Sequence, residues 1–165
     1  MKRFCADHLL IADATFNTNS LRMPLITSMG ITNEGHPLPI AFSYCPGETA
    51  ESYAFFLKVV REDILGEGVA KPAVILTDMS SEMISAVKIL NSLSSSQKLQ
   101  FCSWHAAQAI IARVRKDGYT SDEMDTVKDL AWVYIQSPTL TDLEINRQAL
   151  INFLKPKEKK YIINT

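Results

Sequence analysis

The chain has 165 residues, 47% of them hydrophobic and 21% charged, with a formal net charge of −1. That balance suits one globular domain or most of one, and the apolar share excludes disorder and low-complexity classes. No run approaches the roughly 18 apolar residues of a membrane span. The N-terminus lacks a signal-peptide apolar stretch, and three cysteines (Cys5, Cys45, Cys102) argue against a disulfide framework. The expectation is therefore an intracellular protein with no membrane partner. Near-zero charge leaves no global electrostatic footprint for nucleic acid, so any basic surface must be local or lie outside this chain.

His8 to Asp13 is an almost continuously apolar run ending in an acid, the pattern of a strand buried on both faces. Leu21 to Thr32 and Leu38 to Tyr44, separated by the turn-like residues 33–37, predict an antiparallel hairpin, with Pro24 marking an edge or a strand entry. Glu51 to Leu65 has helical period, with Tyr53, Phe56, Leu57, Val60 and Ile64 on one face and Gly66 and Gly68 as stops. Pro72 to Asp78 is a second buried-strand run ending in an acid. A serine-capped helix then reaches about Leu90, residues 91–97 form a loop, Leu99 to Trp104 a fifth strand, and Ala106 to Lys116 a helix. From Thr120 the pattern is helical throughout: one helix to Ile135, a break at Ser137-Pro138, another from Thr141 to Leu154. A basic tail, Lys155 to Lys160, comes next, and the ending carries no helix stop, as in a chain that is cut rather than finished.

Three strands followed by alternating helices and strands predict an α/β fold with a mixed sheet, in the order of ribonuclease H-like folds. The expected domains are a core over residues 1–118 and the start of a helical insertion over 119–165. A dinucleotide or P-loop site is disfavoured, because Asp13-Ala14-Thr15-Phe16 lacks the glycines of such a turn.

Asp13 and Asp78 each end an apolar strand run. In parallel neighbouring strands about 4.8 Å apart, both carboxylates would reach the C-terminal edge of the sheet. Two carboxylates that close repel unless a hard divalent cation, Mg²⁺ or Mn²⁺, lies between them, and a pair of such ions stabilises in-line displacement at a phosphodiester. The simpler reading of each aspartate is a strand-end turn or helix cap. Cys102-Ser103-Trp104-His105 and Cys5-Ala6-Asp7-His8 are both C-x2-H steps, but the strand between them argues against one shared zinc site. Cys102 reads as a small buried hydrophobe, and His105 as a helix-start histidine facing the acidic edge. Glu48 and Glu51 complement a helix dipole, Asn17 and Asn19 form turns, and Tyr53, Phe55, Phe56, Trp132, Tyr134 and Phe153 read as core. The lysines at 155, 157, 159 and 160 read as a solvated tail, with DNA-backbone contact the minor alternative.

The ordered set Asp13-Ala14-Thr15-Phe16, Pro37 to Phe42, Glu48 to Leu57, Leu76-Thr77-Asp78 and Phe101 to His105 resembles Mutator-like element (MULE) transposases. The similarity spans roughly Leu9 to Ile111, and the later helices resemble that family's helical insertion. The resemblance implies a ribonuclease H-like core of the DDE type, which cuts and joins DNA with two Mg²⁺ or Mn²⁺ ions in the nucleus. DNA would be the partner and a homo-oligomer an option. By that match Asp13 and Asp78 are the first two catalytic and metal-binding carboxylates, and Cys102 and His105 fall on the family's C-x2-H step at the edge of the site. The family's third carboxylate comes after the insertion and has no match here: Glu144 and Glu158 lie on insertion-like helices without its motif. This chain alone is therefore expected to be inactive, bringing in the alternative of a truncated or domesticated binding module. An unrelated ribonuclease H-like nuclease is the third reading.

Overall fold

The computed structural model describes residues 9–66, 72–93 and 97–163. Cys5 and His8, the first C-x2-H step, lie outside the described residues, as does Gly68. The chain divides into two compact units, Met1–Cys102 and Ser103–Thr165.

The first unit is a five-stranded mixed sheet in the order β3-β2-β1-β4-β5, with β1 Leu9–Thr15, β2 Leu25–Ile31, β3 Pro37–Tyr44, β4 Val74–Thr77 and β5 Lys98–Phe101. β1–β2 and β2–β3 are antiparallel, whereas β1–β4 and β4–β5 are parallel. This is the ribonuclease H-like α/β arrangement that the order of strands and helices predicts. Two helices, α1 Ala50–Val59 and α2 Ser81–Leu93, cover one sheet face. Leu10, Ala12, Ile26 and Ile75 from the sheet meet Tyr53, Phe56, Leu57 and Val60 from α1, and Met83, Ala86, Val87 and Leu90 from α2. Each large apolar side chain fully withdrawn from water there contributes about 1.5–3 kcal/mol.

Several boundaries differ from expectation for identifiable reasons. β1 does not stop at Asp13: pairing with β2 continues through Ala14↔Ile26 and Thr15↔Leu25. β2 starts at Leu25, not Leu21, because the Asn19 side chain folds residues 19–23 into a turn, accepting from Leu21 and Met23 N–H (3.0 and 3.1 Å) and donating to Met23 O (2.7 Å). Pro24 is a strand entry; the edge strand is β3, which carries Pro37 and Pro39. Beyond α1 the helix widens into a π turn, Val60–Ile64, in which Leu65 N–H bonds Val60 O at 3.0 Å. The wider turn holds an extra residue and rotates the chain beyond it, so Ile64 is 39% exposed and Leu65 takes its core place. Gly66 ends this helix at φ +80°. β5 stops at Phe101, so Trp104 belongs to the next helix.

The second unit holds α3 Ser103–Val114, α4 Ser121–Ile135, α5 Leu140–Phe153 and α6 Pro156–Ile163. α3 starts three residues before the predicted boundary and tightens into a 3-10 turn over Arg115–Asp117, closed by Gly118 at φ +69°. Thr120 and Glu123 form a reciprocal capping box on α4, and Thr139 caps α5. Val127, Ala131, Leu150, Ile151, Leu154 and Ile162 build the core. The basic tail is a helix, not a solvated coil: Pro156 sits at its first position, Glu158 and Ile162 are buried, and Lys155 Nζ binds the carbonyls of Asp117 and Gly118 (3.1 and 2.9 Å). Phe55 and Phe153, read as core, are 71% and 39% exposed. No described helix is long and apolar enough to cross a membrane.

Candidate active site

β1 and β4 are parallel neighbours with Leu9↔Val74, Leu10↔Ile75 and Ile11↔Leu76 in register. Carried two residues further, just past the end of β4, that register would set Asp13 beside Asp78. Leu10 and Ala12 on β1, like Ile75 and Thr77 on β4, are buried, so alternation turns Asp13 and Asp78 to the opposite sheet face. Both aspartates are half-buried. The second lies just past the end of its strand, the first within its own.

Different contacts hold the two carboxylates. Asp78 Oδ1 accepts the Ser80 N–H at 3.2 Å and lies 3.4 Å from the Thr77 hydroxyl, while Ser80 Oγ caps α2 through the Met83 N–H at 3.2 Å. The tight step from β4 into α2 thus fixes the Asp78 side chain and leaves Oδ2 without a described partner. At Asp13 the backbone carbonyl receives the Thr27 hydroxyl at 3.4 Å, and no described group pairs with the carboxylate.

Cys102 continues the row. Its N–H bonds Thr77 O at 2.7 Å, and the β4–β5 register (Thr77↔Phe101) sets it beside Asp78. The Cys102 thiol is free and half-buried, where a small buried hydrophobe was the expectation. His105 belongs to the second unit, in the first turn of α3; its ring meets Trp104 edge to face at 4.9 Å, and its Nδ1 is buried with no hydrogen-bond partner among the described residues.

One pair escapes sequence reasoning. Tyr53 is 1% exposed, and its hydroxyl donates to Glu48 Oε1 at 2.9 Å. Burial first, then that hydrogen bond, push the Tyr53 phenol well above the usual tyrosine range, with the charges of Asp78 and Cys45 adding to the effect. The buried phenol therefore lies within electrostatic reach of Asp78. Glu48 is more than a dipole-complementing acid; the five-residue Glu48–Tyr53 spacing across the start of a helix was the available signal.

The later acids stand elsewhere. Glu144 is exposed and pairs with Arg147 at 3.4 Å. Glu158 is 1% exposed, and neither of its oxygens has a hydrogen-bond partner among the described residues. Burial, then the neighbouring Asp117 carboxyl, raise Glu158, whereas Lys157, 2.8 Å from Asp117, holds Asp117 low.

Mg²⁺ is commonly held by one or two carboxylates, with water and substrate phosphate completing an octahedron. Asp13 and Asp78, with carboxylate oxygens left unpaired and no described cation of the protein between them, fit that anchor. Among the described residues no group of three His, Cys, Asp or Glu side chains could hold a metal ion.

The MULE transposase domain family matches residues 9–109, which includes both aspartates, Cys102 and His105. The chain belongs to this family. A curated relative, the PKS-NRPS hybrid synthetase cheA of Chaetomium globosum, is 27% identical over 119 residues, 71% of this chain; the chain spans 2% of that protein's length. Among solved structures, the catalytic core domain of HTLV-2 integrase in complex with magnesium is similar in two forms. The trimeric form is 14% identical, covering 82% of this chain and 89% of that one; the dimeric form is 16% identical, covering 84% and 92%. The TM-score is 0.37 for each.

Proposed function

We propose that this chain is the catalytic-core portion of a DDE-type DNA transposase, acting on nuclear DNA. In this reading Asp13 and Asp78 are the first two metal-binding carboxylates. The parallel register of β1 with β4, which carried two residues further would align Asp13 with Asp78, supports the reading.

With Mg²⁺ or Mn²⁺ bound, the metal would supply charge neutralisation at the phosphodiester and a more acidic water. The chain's own residues position and orient. The Ser80 N–H fixes Asp78 Oδ1 and leaves the other oxygen without a described partner. Pairing beyond Asp13 keeps the first carboxylate on a rigid strand. Tyr53, kept protonated by burial, donates to Glu48 and adds no negative charge within electrostatic reach of Asp78. The helices from α4 onward form the start of the family's helical insertion, and the third carboxylate belongs to the segment after that insertion.

A second reading is a domesticated module that binds DNA or protein without catalysis. Mn²⁺ titration by electron paramagnetic resonance separates the two. A live pair binds Mn²⁺ and loses it in Asp78→Asn; binding equal in both proteins, or undetectable in the parent, refutes the catalytic-core reading.

A further inference from the structure

The nine residues 16–24 that join β1 to β2 rise from the strand carrying Asp13. They form a built finger rather than a slack loop. The Asn19 amide makes three bonds within it, Arg22 N–H bonds Asn19 O at 3.1 Å, and Pro24 O receives the Cys45 N–H at 3.1 Å, tying its base to the end of β3. Among the described residues, Asn17 and Arg22 are the non-glycine positions with left-handed backbone, at φ 58° and 54°. Such strain persists only where surrounding bonds enforce it, and it marks functional loops. The strained turn presents side chains unusual for a free surface: Leu21 is 77% and Phe16 48% exposed, and Arg22 is exposed with no described acid beside it.

The sheet carries further exposed side chains at the end of β3 to which the base of the finger is tied. Asp13 is opposite Thr27, and Thr27 is opposite Phe42; two residues further along β1, Thr15 faces Leu25, and Leu25 faces Tyr44. Directly paired residues share a face, so Phe42 and Tyr44 stand on the same side as Asp13 and Asp78, at 62% and 52% exposure. Phe42 is two strand spacings from Asp13, about 9.6 Å, which is close to three stacked nucleotide steps of about 3.4 Å each. Flat aromatic side chains and a cation at that distance from a phosphate-binding site match a nucleic-acid strand whose bases are unpaired, because only unpaired bases offer both π-faces for stacking.

We propose that Phe42, Tyr44 and the 16–24 finger form a stacking surface for unpaired bases of the DNA strand whose backbone lies at Asp13 and Asp78. In this arrangement Arg22 contacts a flanking phosphate and Leu21 wedges beside an unstacked base. The proposal rests on the catalytic-core reading for the position of the scissile strand.

The test compares the 165-residue chain's affinity for a labelled DNA duplex carrying a short single-stranded flap with that for the fully paired duplex, by fluorescence anisotropy. The flap substrate is expected to bind about ten-fold more tightly, and Phe42→Ala/Tyr44→Ala to remove that preference while leaving the paired duplex unchanged. Arg22→Ala should weaken both substrates about equally and lower the salt-dependence slope by about one. Leu21→Ala, on a side chain that packs against little, provides a variant whose folding is not in question; it should lose about three-fold on the flap only. Equal affinity for both DNAs, no DNA binding, or variants indistinguishable from the parent overturns the surface. Mn²⁺ binding in the same samples keeps the two claims apart. Mn²⁺ lost in Asp78→Asn with no flap preference refutes the surface and spares the metal reading, whereas flap preference without Mn²⁺ binding does the reverse.

Discussion

Replacing Asp13 by Asn should make the metal-free protein more stable. The register brings two carboxylates onto neighbouring strands about 4.8 Å apart, and no described cation stands between them. At about 5 Å the Coulomb repulsion is about 0.8 kcal/mol in a water-like dielectric and about 3 kcal/mol at an effective dielectric of about 20. Both side chains are half-buried rather than deep, so the lower part of that range applies, and about 1 kcal/mol is the expected gain. For a unit of this size that raises the melting temperature by about 4–8 °C. Thermal unfolding measured by circular dichroism in EDTA reads it directly. Glu34→Gln, an exposed acid in the turn between β2 and β3, is the control and should change nothing. The gain should shrink in 1 M KCl, where the screening length falls to about 3 Å. An Asp13→Asn protein no more stable than the parent at low salt refutes the idea that the two carboxylates face each other. Such a gain on removing a charged group is the mark of a site kept for function at the expense of stability.

The two cores support three further expectations. Ile75→Ala, at a fully buried position of the interior strand β4, should destabilise the first unit by about 2–5 kcal/mol, read from urea unfolding. Thr120→Ala removes the side-chain half of the capping box on α4 and should cost about 1 kcal/mol, read from loss of helical signal on heating. Because the folded protein holds Glu158 protonated to a higher pH than the unfolded chain does, its contribution is fully present below the ordinary carboxylate range and lost as pH rises through the raised value. Glu158→Gln should therefore be more stable than the parent at about pH 8 and equal to it near about pH 3, a difference that urea midpoints at the two pH values reveal.

Continuous apolar runs declare strands: His8 to Asp13 and Pro72 to Asp78 do so, although in the fold one face of each is buried and the face that carries the acids is half-buried. The parallel pairing of β1 with β4 was legible for that reason. The details that surround the pair depend on single side chains and on one-residue shifts. Asn19 converts what reads as a strand start into a finger, because its amide competes with β2 pairing for the backbone of residues 21–23. The π turn at Val60–Ile64 exchanges Ile64 for Leu65 without any change in apolar period. Phe42 and Tyr44 look like ordinary strand residues until the sheet order makes β3 an edge. α6 carried a usable signal in Pro156, the residue type that favours a first helical turn, but the lysines around it obscured the helix.

The central claim is that Asp13 and Asp78 together hold a divalent metal ion. Anomalous diffraction from a crystal of this chain soaked in Mn²⁺ tests it most directly. The expected result is a peak within coordinating distance of both carboxylates, close to Asp78 Oδ2, that disappears in Asp78→Asn. Full Mn²⁺ soaking with no peak between the two aspartates, or a peak that survives the substitution, would contradict it.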